Sequence, residues 1–402
     1  MMFFQRLCLI FGFLFLLPVF SAGSPVPVQP SSGLSARNYL VMDAHSGAVL
    51  AEQNPDERVA PASLVKIMTA YLVFQELKAG KLRLDEEVAV SERAWRTGMT
   101  GASRMYIDVG SRVTVEDLLR GMIVQSGNDA CVALAERLAG TEEAFVDMMN
   151  AQARSLGLEN TRFQNSHGLP SKEAQYTSAR DIVTLARFLI LNFQEYYGYY
   201  SERSFTYNNI TQHNRNRLPG RDSSVDGVKT GWTKEAGYNL VTSAKRDGMR
   251  LVSVVMGIQA SSGRQGASAR AKQTEALLNW AFRQFETVKV RESGVALAEP
   301  RIWKGVEKFL PVGLNEAFYL TIPRGKQESL QVQIHLVEDI QAPVAEGRPM
   351  GELHALIDDE RIDGRQLVAL KTIEKGGIFR VFLDTIQRLL GGLAGSIRGL
   401  WN

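Results

Sequence analysis

Apolar and polar positions along the chain fall into three textures. Residues 39–42 and 48–52 are short apolar runs on either side of Ser46-Gly47 and read as two strands around a turn. A helix is expected to open at Ser63, after Pro61. Helical spacing of apolar residues then recurs over 115–123, 129–138 and 142–156. After Asp226 the pattern returns to strands, at 227–230, 238–243 and 250–258, and a helix over 267–285 closes the unit. Strands, an inserted helical block, more strands and a closing helix predict an α+β domain over 35–290, not repeated βαβ units. From 291 to 374 short strand-like runs alternate with turn residues. Leu330, Val332, Ile334 and Leu336 show the strict alternation of a half-buried strand, so this stretch reads as a small all-β domain. No internal repeat is present.

The two ends have patterns of their own. Residues 1–23 carry Arg6, an apolar run from Leu7 to Phe20 and then Ser21, Ala22 and Gly23, the layout of a secretory signal. The run is shorter than the roughly 20 residues of a spanning helix; an uncleaved anchor is the alternative. A Pro/Ser-rich linker over 24–34 follows. Over 375–402, Ile378, Phe382, Ile386, Leu389, Leu390, Leu393, Ile397, Leu400 and Trp401 form one helical stripe. Arg380, Asp384, Gln387, Arg388 and Arg398 occupy the opposite face. Arginine at the centre of a bilayer costs several kcal/mol, so the expectation is an amphipathic helix lying in the surface of an anionic membrane. Packing on the protein's own core or on a partner helix is the other reading. Gly376-Gly377 suggests a flexible joint before it.

Composition narrows the function classes. The chain has 402 residues, with Lys+Arg 46 against Asp+Glu 43, a formal charge of +3. Nothing in that balance supports nucleic-acid binding. Of the two cysteines, Cys8 lies in the expected signal, which leaves Cys131 unpaired and no internal disulfide. The histidines have no metal-ligand spacing, and no cofactor motif is present.

Three short segments carry chemistry. In Ser63-Leu64-Val65-Lys66, residues three apart on a helix share a face, so the hydroxyl can meet the amine. A serine hydroxyl needs a neighbouring base, and a lysine serves when burial or another cation lowers its pKa. Alone, the pair is equally an N-cap serine with a solvated lysine. Ser126-Gly127-Asn128 presents a hydroxyl and an amide from a turn, or simply caps a helix. Lys229-Thr230-Gly231 ends a strand-like run. There the glycine admits a ligand to the backbone, and Lys229 sets a second positive charge near Lys66.

The order of the three, 63 residues from Ser63 to Ser126 and 103 from Ser126 to Lys229, resembles that of the penicillin-recognising serine enzymes. Ser-Gly-Asn in place of Ser-Asp-Asn is similar to the low-molecular-mass D-alanyl-D-alanine carboxypeptidases, peptidase family S11. So are Pro61-Ala62 before the first motif, His167-Gly168-Leu169, and Asp226-Gly227 before the third. The resemblance runs from about residue 36 to the C-terminus. It implies an antiparallel sheet flanked by helices with an inserted helical region, a β-rich second domain and an amphipathic end. It further implies Ser63 as acylated nucleophile, Lys66 as general base, and Ser126 and Asn128 in proton transfer and substrate positioning. Lys229, Thr230 and Gly231 would bind substrate along a strand edge. The backbone N–H groups of Ser63 and Trp232 would form the oxyanion hole, and Arg215 and Arg264 would face the substrate carboxylate. The implied substrate is the peptidoglycan stem peptide, with β-lactams as covalent inhibitors, no metal and no cofactor. The implied location is the outer face of the cytoplasmic membrane.

Other residues have two readings each. His167 is a second base or a structural turn residue. Trp95 and the loop to Arg104 are expected at the cleft border, and Cys131 as buried packing. Glu275-Ala276-Leu277-Leu278-Asn279 imitates a class A β-lactamase motif but follows Lys229 instead of preceding it, and fits the closing helix. The rival functions are β-lactamase and a wall-binding module with an inactive cleft.

Overall fold

The computed structural model describes residues 33–99 and 101–399, with side chains as far as 388. The expected signal and nearly all of the linker lie outside the described residues. An antiparallel five-stranded sheet forms the centre of the first unit. Its order is Val49–Gln53, Asn38–Asp43, Met249–Ile258, Gly237–Arg246 and Val225–Thr233. Chain ends of the unit therefore meet in the sheet, and the residues between them are the inserted helical block.

Both sheet faces are covered, as the strand sequences require. Along Met249–Ile258, Val252, Val254 and Met256 join one apolar cluster, while Met249, Leu251 and Val255 join another. The first cluster lies against the inserted helices Lys66–Lys78, Val115–Val124, Asn128–Ala139, Glu142–Ser155 and Ala179–Asn192. The second lies against the closing helix Gly263–Gln284 through Leu277, Leu278 and Ala281. Full burial of each valine, leucine or methionine side chain among them stabilises the fold by about 1.5–3 kcal/mol. Ser91, Thr114, Thr141, Ser178 and Ser262 cap helices with their side-chain oxygens.

The β-rich unit begins earlier than its texture suggests. Strand Phe285–Arg291 pairs with Phe318–Pro323, so the change of texture at 291 follows the unit's first strand. A second sheet carries Leu330–Leu336, Pro349–Ile357 and Glu360–Ala369 in antiparallel order. Leu330–Leu336 is its edge strand. Leu330, Val332 and Leu336 are half-buried, but Ile334 is exposed. The two units are joined where Asp43 accepts from Thr287 (2.5 Å), His45 stacks on Tyr319, and Ser46 meets Thr321 at 2.6 Å.

The last helix, Ile378–Gly399, is fastened to the β-rich unit, which corrects the expectation of a free joint at Gly376-Gly377. Gly376 N–H donates to Lys304 O (2.8 Å), and the buried Asp384 carboxylate accepts from Lys304 N–H at 2.6 Å. Arg301 donates to Gln387 and lies over the Trp303 ring, and Arg388 pairs with Asp339. The polar face thus packs on protein. Ile378, Phe379, Phe382 and Leu383 point outward, all more than half exposed.

Candidate active site

The first motif sits on a tight turn at the entrance to a helix. Ala62–Val65 is a single 3-10 turn that runs straight into Lys66–Lys78. Ser63 is half-buried on that turn and faces open space, while Lys66 lies beneath it in the core. Two glycines let neighbouring backbone reach the turn. A side chain at Gly168, where φ is +89°, would put its Cβ 1.9 Å from Ala62 O; one at Gly231 would meet Ala62, Leu64 and Pro61 at 3.3 Å.

Lys66 Nζ has three neighbours: His167 O at 2.6 Å, Asn128 Oδ1 at 2.7 Å and Ser63 Oγ at 3.2 Å. Burial holds its pKa below the ordinary lysine range, against the attraction of Cys131 and Asp129. A neutral amine has two N–H donors and one lone pair. The two carbonyl oxygens accept only, so they take both donors. The lone pair is then left for the Ser63 hydroxyl. Lys229 is buried as well; burial and then the charge of Lys66 push its pKa well down, and its Nζ donates to Thr230 O at 3.2 Å.

Ser126 lies on the turn before helix Asn128–Ala139, with φ +67°, and is buried at the base of the same space. One cleft of about 1570 Å³ is lined by Ser63, Ser126, Thr230, Gly231, Trp232, Arg215 and Arg264. Lys66, Asn128 and Lys229 form the buried layer behind it. The three distant motifs therefore converge, and Arg215 and Arg264 stand with them. Trp95 does not line the cleft; it packs against the main core, whereas Ser103 and Tyr106 from the following loop do line it.

Several supporting residues carry no sequence signal. Asp129 is buried and accepts from the backbone N–H of Met105, Tyr106 and Ala130, which fixes the cleft loop; burial raises its pKa. Glu142 accepts from Ser166 N–H (3.0 Å), Ser166 Oγ (2.7 Å) and Arg93 (2.8 Å). It anchors the segment whose carbonyls hold Thr69 and Lys66. His167 is a turn residue: burial pushes its pKa down to about 4, and its Nδ1 accepts from Leu169 N–H. Cys131 is fully buried, with burial raising its thiol to about 12. Arg270 lines the cleft and donates to Gly231 O and Asn239 O. Glu275 belongs to the closing helix, outside the cleft lining.

A half-buried serine whose hydroxyl faces a desolvated lysine, beside a strand edge, defines an acyl-transfer enzyme of the serine–lysine type. Comparison with known proteins gives the family. Residues 25–260 match the D-alanyl-D-alanine carboxypeptidase model of peptidase family S11, and residues 285–375 match the penicillin-binding protein 5 C-terminal domain. The chain belongs to that carboxypeptidase family. It is 42% identical to the D-alanyl-D-alanine carboxypeptidase DacC of Escherichia coli over 94% of this chain and 93% of that one. Penicillin-binding protein 5 from Haemophilus influenzae superposes with a TM-score of 0.80 at 40% identity, over 85% of this chain and 98% of that one. Penicillin-binding protein D2 from Listeria monocytogenes, solved in an ampicillin-bound form, gives 0.56 at 32% identity over 63% of this chain and all of that one.

Proposed function

We propose that this protein is a serine-type D-alanyl-D-alanine carboxypeptidase that removes the terminal D-alanine from peptidoglycan pentapeptide stems. The observation that carries the reading is the set of three hydrogen-bond partners around Lys66 Nζ, two carbonyl oxygens that take its N–H groups and the Ser63 hydroxyl left to its lone pair. Ser63 Oγ gives its proton to neutral Lys66 and attacks the carbonyl carbon of the penultimate D-alanine. The oxygen that becomes negative is held by the N–H groups of Ser63 and Trp232. As the C–N bond breaks, the leaving D-alanine takes a proton, relayed from Lys66 through Ser126, and an ester remains on Ser63. Water then hydrolyses the ester. Asn128 keeps the amine in place and burial keeps it uncharged, while Lys229 stands on the strand edge beside the substrate. Thr230, Gly231, Arg215 and Arg264 hold the peptide and its carboxylate. β-Lactams acylate Ser63 by the same attack.

A β-lactamase would also need a group that rapidly activates the second water. Among the described residues the cleft lining holds no carboxylate, which favours a lasting penicillin adduct. The test is release of D-alanine from diacetyl-Lys-D-Ala-D-Ala. The intact protein releases it and Ser63→Ala does not; release by Ser63→Ala at the normal rate would refute the mechanism.

The cellular setting follows from the two ends. We propose export, and attachment to the outer face of the cytoplasmic membrane by helix Ile378–Gly399. No helix among the described residues is long and apolar enough to cross a membrane, while the outward row from Ile378 to Leu383 suits a helix lying in the interface. The β-rich unit then acts as a spacer between membrane and cleft. A chain truncated after Lys375 should leave the membrane fraction and keep its activity; continued sedimentation with membranes would contradict the attachment.

A further inference from the structure

Arg270 is a cation without a counter-ion. Elsewhere in the protein, arginines such as Arg120, Arg180, Arg246 and Arg250 each lie against a carboxylate. Arg270 is half-buried, and among the described residues no carboxylate lies within ion-pair distance of it. Burial brings its pKa down to about 10, so at neutral pH it is charged all the same. Its Nη1 is turned instead to two backbone carbonyl oxygens, Asn239 O at 3.3 Å and Gly231 O at 3.4 Å.

Local packing puts the guanidinium there. Helix Gly263–Gln284 comes close to the sheet because position 266 has no side chain: a Cβ there would lie 2.3 Å from the Tyr238 ring. Arg270 follows Gly266 by four residues and shares its face of the helix, with the guanidinium 6.0 Å from the centre of the Tyr238 ring. Across the last two strands of the sheet, Tyr238 pairs with Trp232 and Asn239 with Gly231. Arg270 therefore approaches the strand Val225–Thr233 from the closing helix. That strand ends the sheet, and a Cβ at its Gly231 would meet Ala62 and Leu64 of the nucleophile turn at 3.3 Å.

Gly231 O and Trp232 N–H belong to one peptide group, and in a trans peptide they point opposite ways. A cation at the oxygen end draws electron density from the nitrogen, strengthens the N–H as a donor and holds the peptide plane. Under the carboxypeptidase reading, on which this inference rests, that N–H is one of the two that stabilise the oxyanion. We propose that Arg270 is a positioning residue for acyl transfer, orienting and polarising the Gly231–Trp232 peptide through its carbonyl oxygen. Donors fixed in advance need no reorganisation when charge develops on the substrate, so the effect falls on the acylation step and not on binding. A direct grip on the substrate carboxylate is disfavoured, because Nη1 is engaged with the two carbonyls. Arg215 and Arg264 line the same cleft, and among the described residues their guanidinium groups have no hydrogen-bond partner, which leaves them for that task.

The test is stopped-flow acylation by a fluorescent penicillin over a range of concentrations, which separates the non-covalent Kd from the limiting acylation rate. Arg270→Met should lower the limiting rate about tenfold, the scale of one charge-assisted hydrogen bond, with Kd within about twofold of wild type. Arg270→Lys, which keeps a cationic donor, should restore part of the rate. Proline is tolerated on an edge strand where the N–H faces away from the sheet, so Trp232→Pro removes the oxyanion donor itself. Adding Arg270→Met to Trp232→Pro should then cost no more than about twofold further. Thermal melts establish that each variant is folded. Should Arg270→Met not fold, Arg270→Gln, which keeps a neutral donor, should lower the limiting rate about threefold. A folded Met or Gln variant with an unchanged limiting rate, a loss confined to Kd, or a loss on top of Trp232→Pro as large as in the wild-type background overturns the positioning role, while acylation of the wild type stands. A wild type that penicillin does not acylate overturns the carboxypeptidase reading and this role together.

Discussion

Gly168→Ala tests whether the nucleophile turn is positioned by the backbone that passes over it. The added Cβ would lie 1.9 Å from Ala62 O, 2.5 Å from Ala62 C and 3.1 Å from Ser63 N, where real Cβ contacts essentially never fall below 3.0 Å. One of the two segments must move by about 1 Å. Such a displacement at a reacting group costs about 100-fold in rate. Alanine at a φ of +89° adds about 1–3 kcal/mol of backbone strain, or roughly 3–10 °C in Tm for a unit of this size. The assay is the second-order rate constant for acylation by a fluorescent penicillin, read beside a thermal melt. Gly140→Ala is the control: its φ is +81°, yet nothing lies within 4 Å of the added Cβ. It should lower Tm comparably and leave acylation near normal. If Gly168→Ala acylates at the wild-type rate, or if Gly140→Ala loses rate as severely, the positioning argument is wrong.

Three further outcomes are expected. Because the folded-state pKa of Lys66 is depressed, the amine is the active form, and acylation should fall about tenfold per pH unit once the pH drops below that pKa; Lys66→Arg, which stays charged, should abolish the reaction at every pH, and a flat profile would refute the lysine base. The proposed role of Trp232 uses its backbone N–H, and the residue is 54% exposed, so Trp232→Ala should acylate within about threefold of normal and Trp232→Pro should lose about 100-fold or more; equal losses would place the function in the ring. Asp384→Ala leaves Lys304 N–H without its acceptor, at a cost of about 1–3 kcal/mol, and should speed hydrogen exchange over 378–388 by about tenfold or more; unchanged exchange would show that the helix is held by other contacts.

How far the sequence carries depends on whether a feature is local. Strand alternation, helical spacing and the three motifs depend on neighbours within one or two turns, so the sheet, the inserted block and Ser63, Lys66, Ser126 and Lys229 were legible. Glu142 and Asp129 look like ordinary helix-start acids; only the tertiary fold shows one gripping Ser166 and the other gripping Met105 and Tyr106. Asp384 reads as part of a solvated face until Lys304 and Arg301 are found against it. Arg217, Arg221 and Arg270 have unremarkable surroundings in the chain, and they share a cleft only because the turn Leu218–Gly220 and the helix Gly263–Gln284 fold against the same space. The start of the β-rich unit is not legible in the sequence because Phe285–Arg291 continues directly from the closing helix, and its partner lies about thirty residues further on.

Intact mass after exposure to penicillin, followed by peptide mapping, probes the core of the account without reference to any particular substrate. One penicillin should add to the folded protein, reside on the peptide containing Ser63 and persist after the free drug is removed. A folded protein that stays unlabelled, or a label carried by any other residue, would contradict the assignment of Ser63 and Lys66 as nucleophile and base.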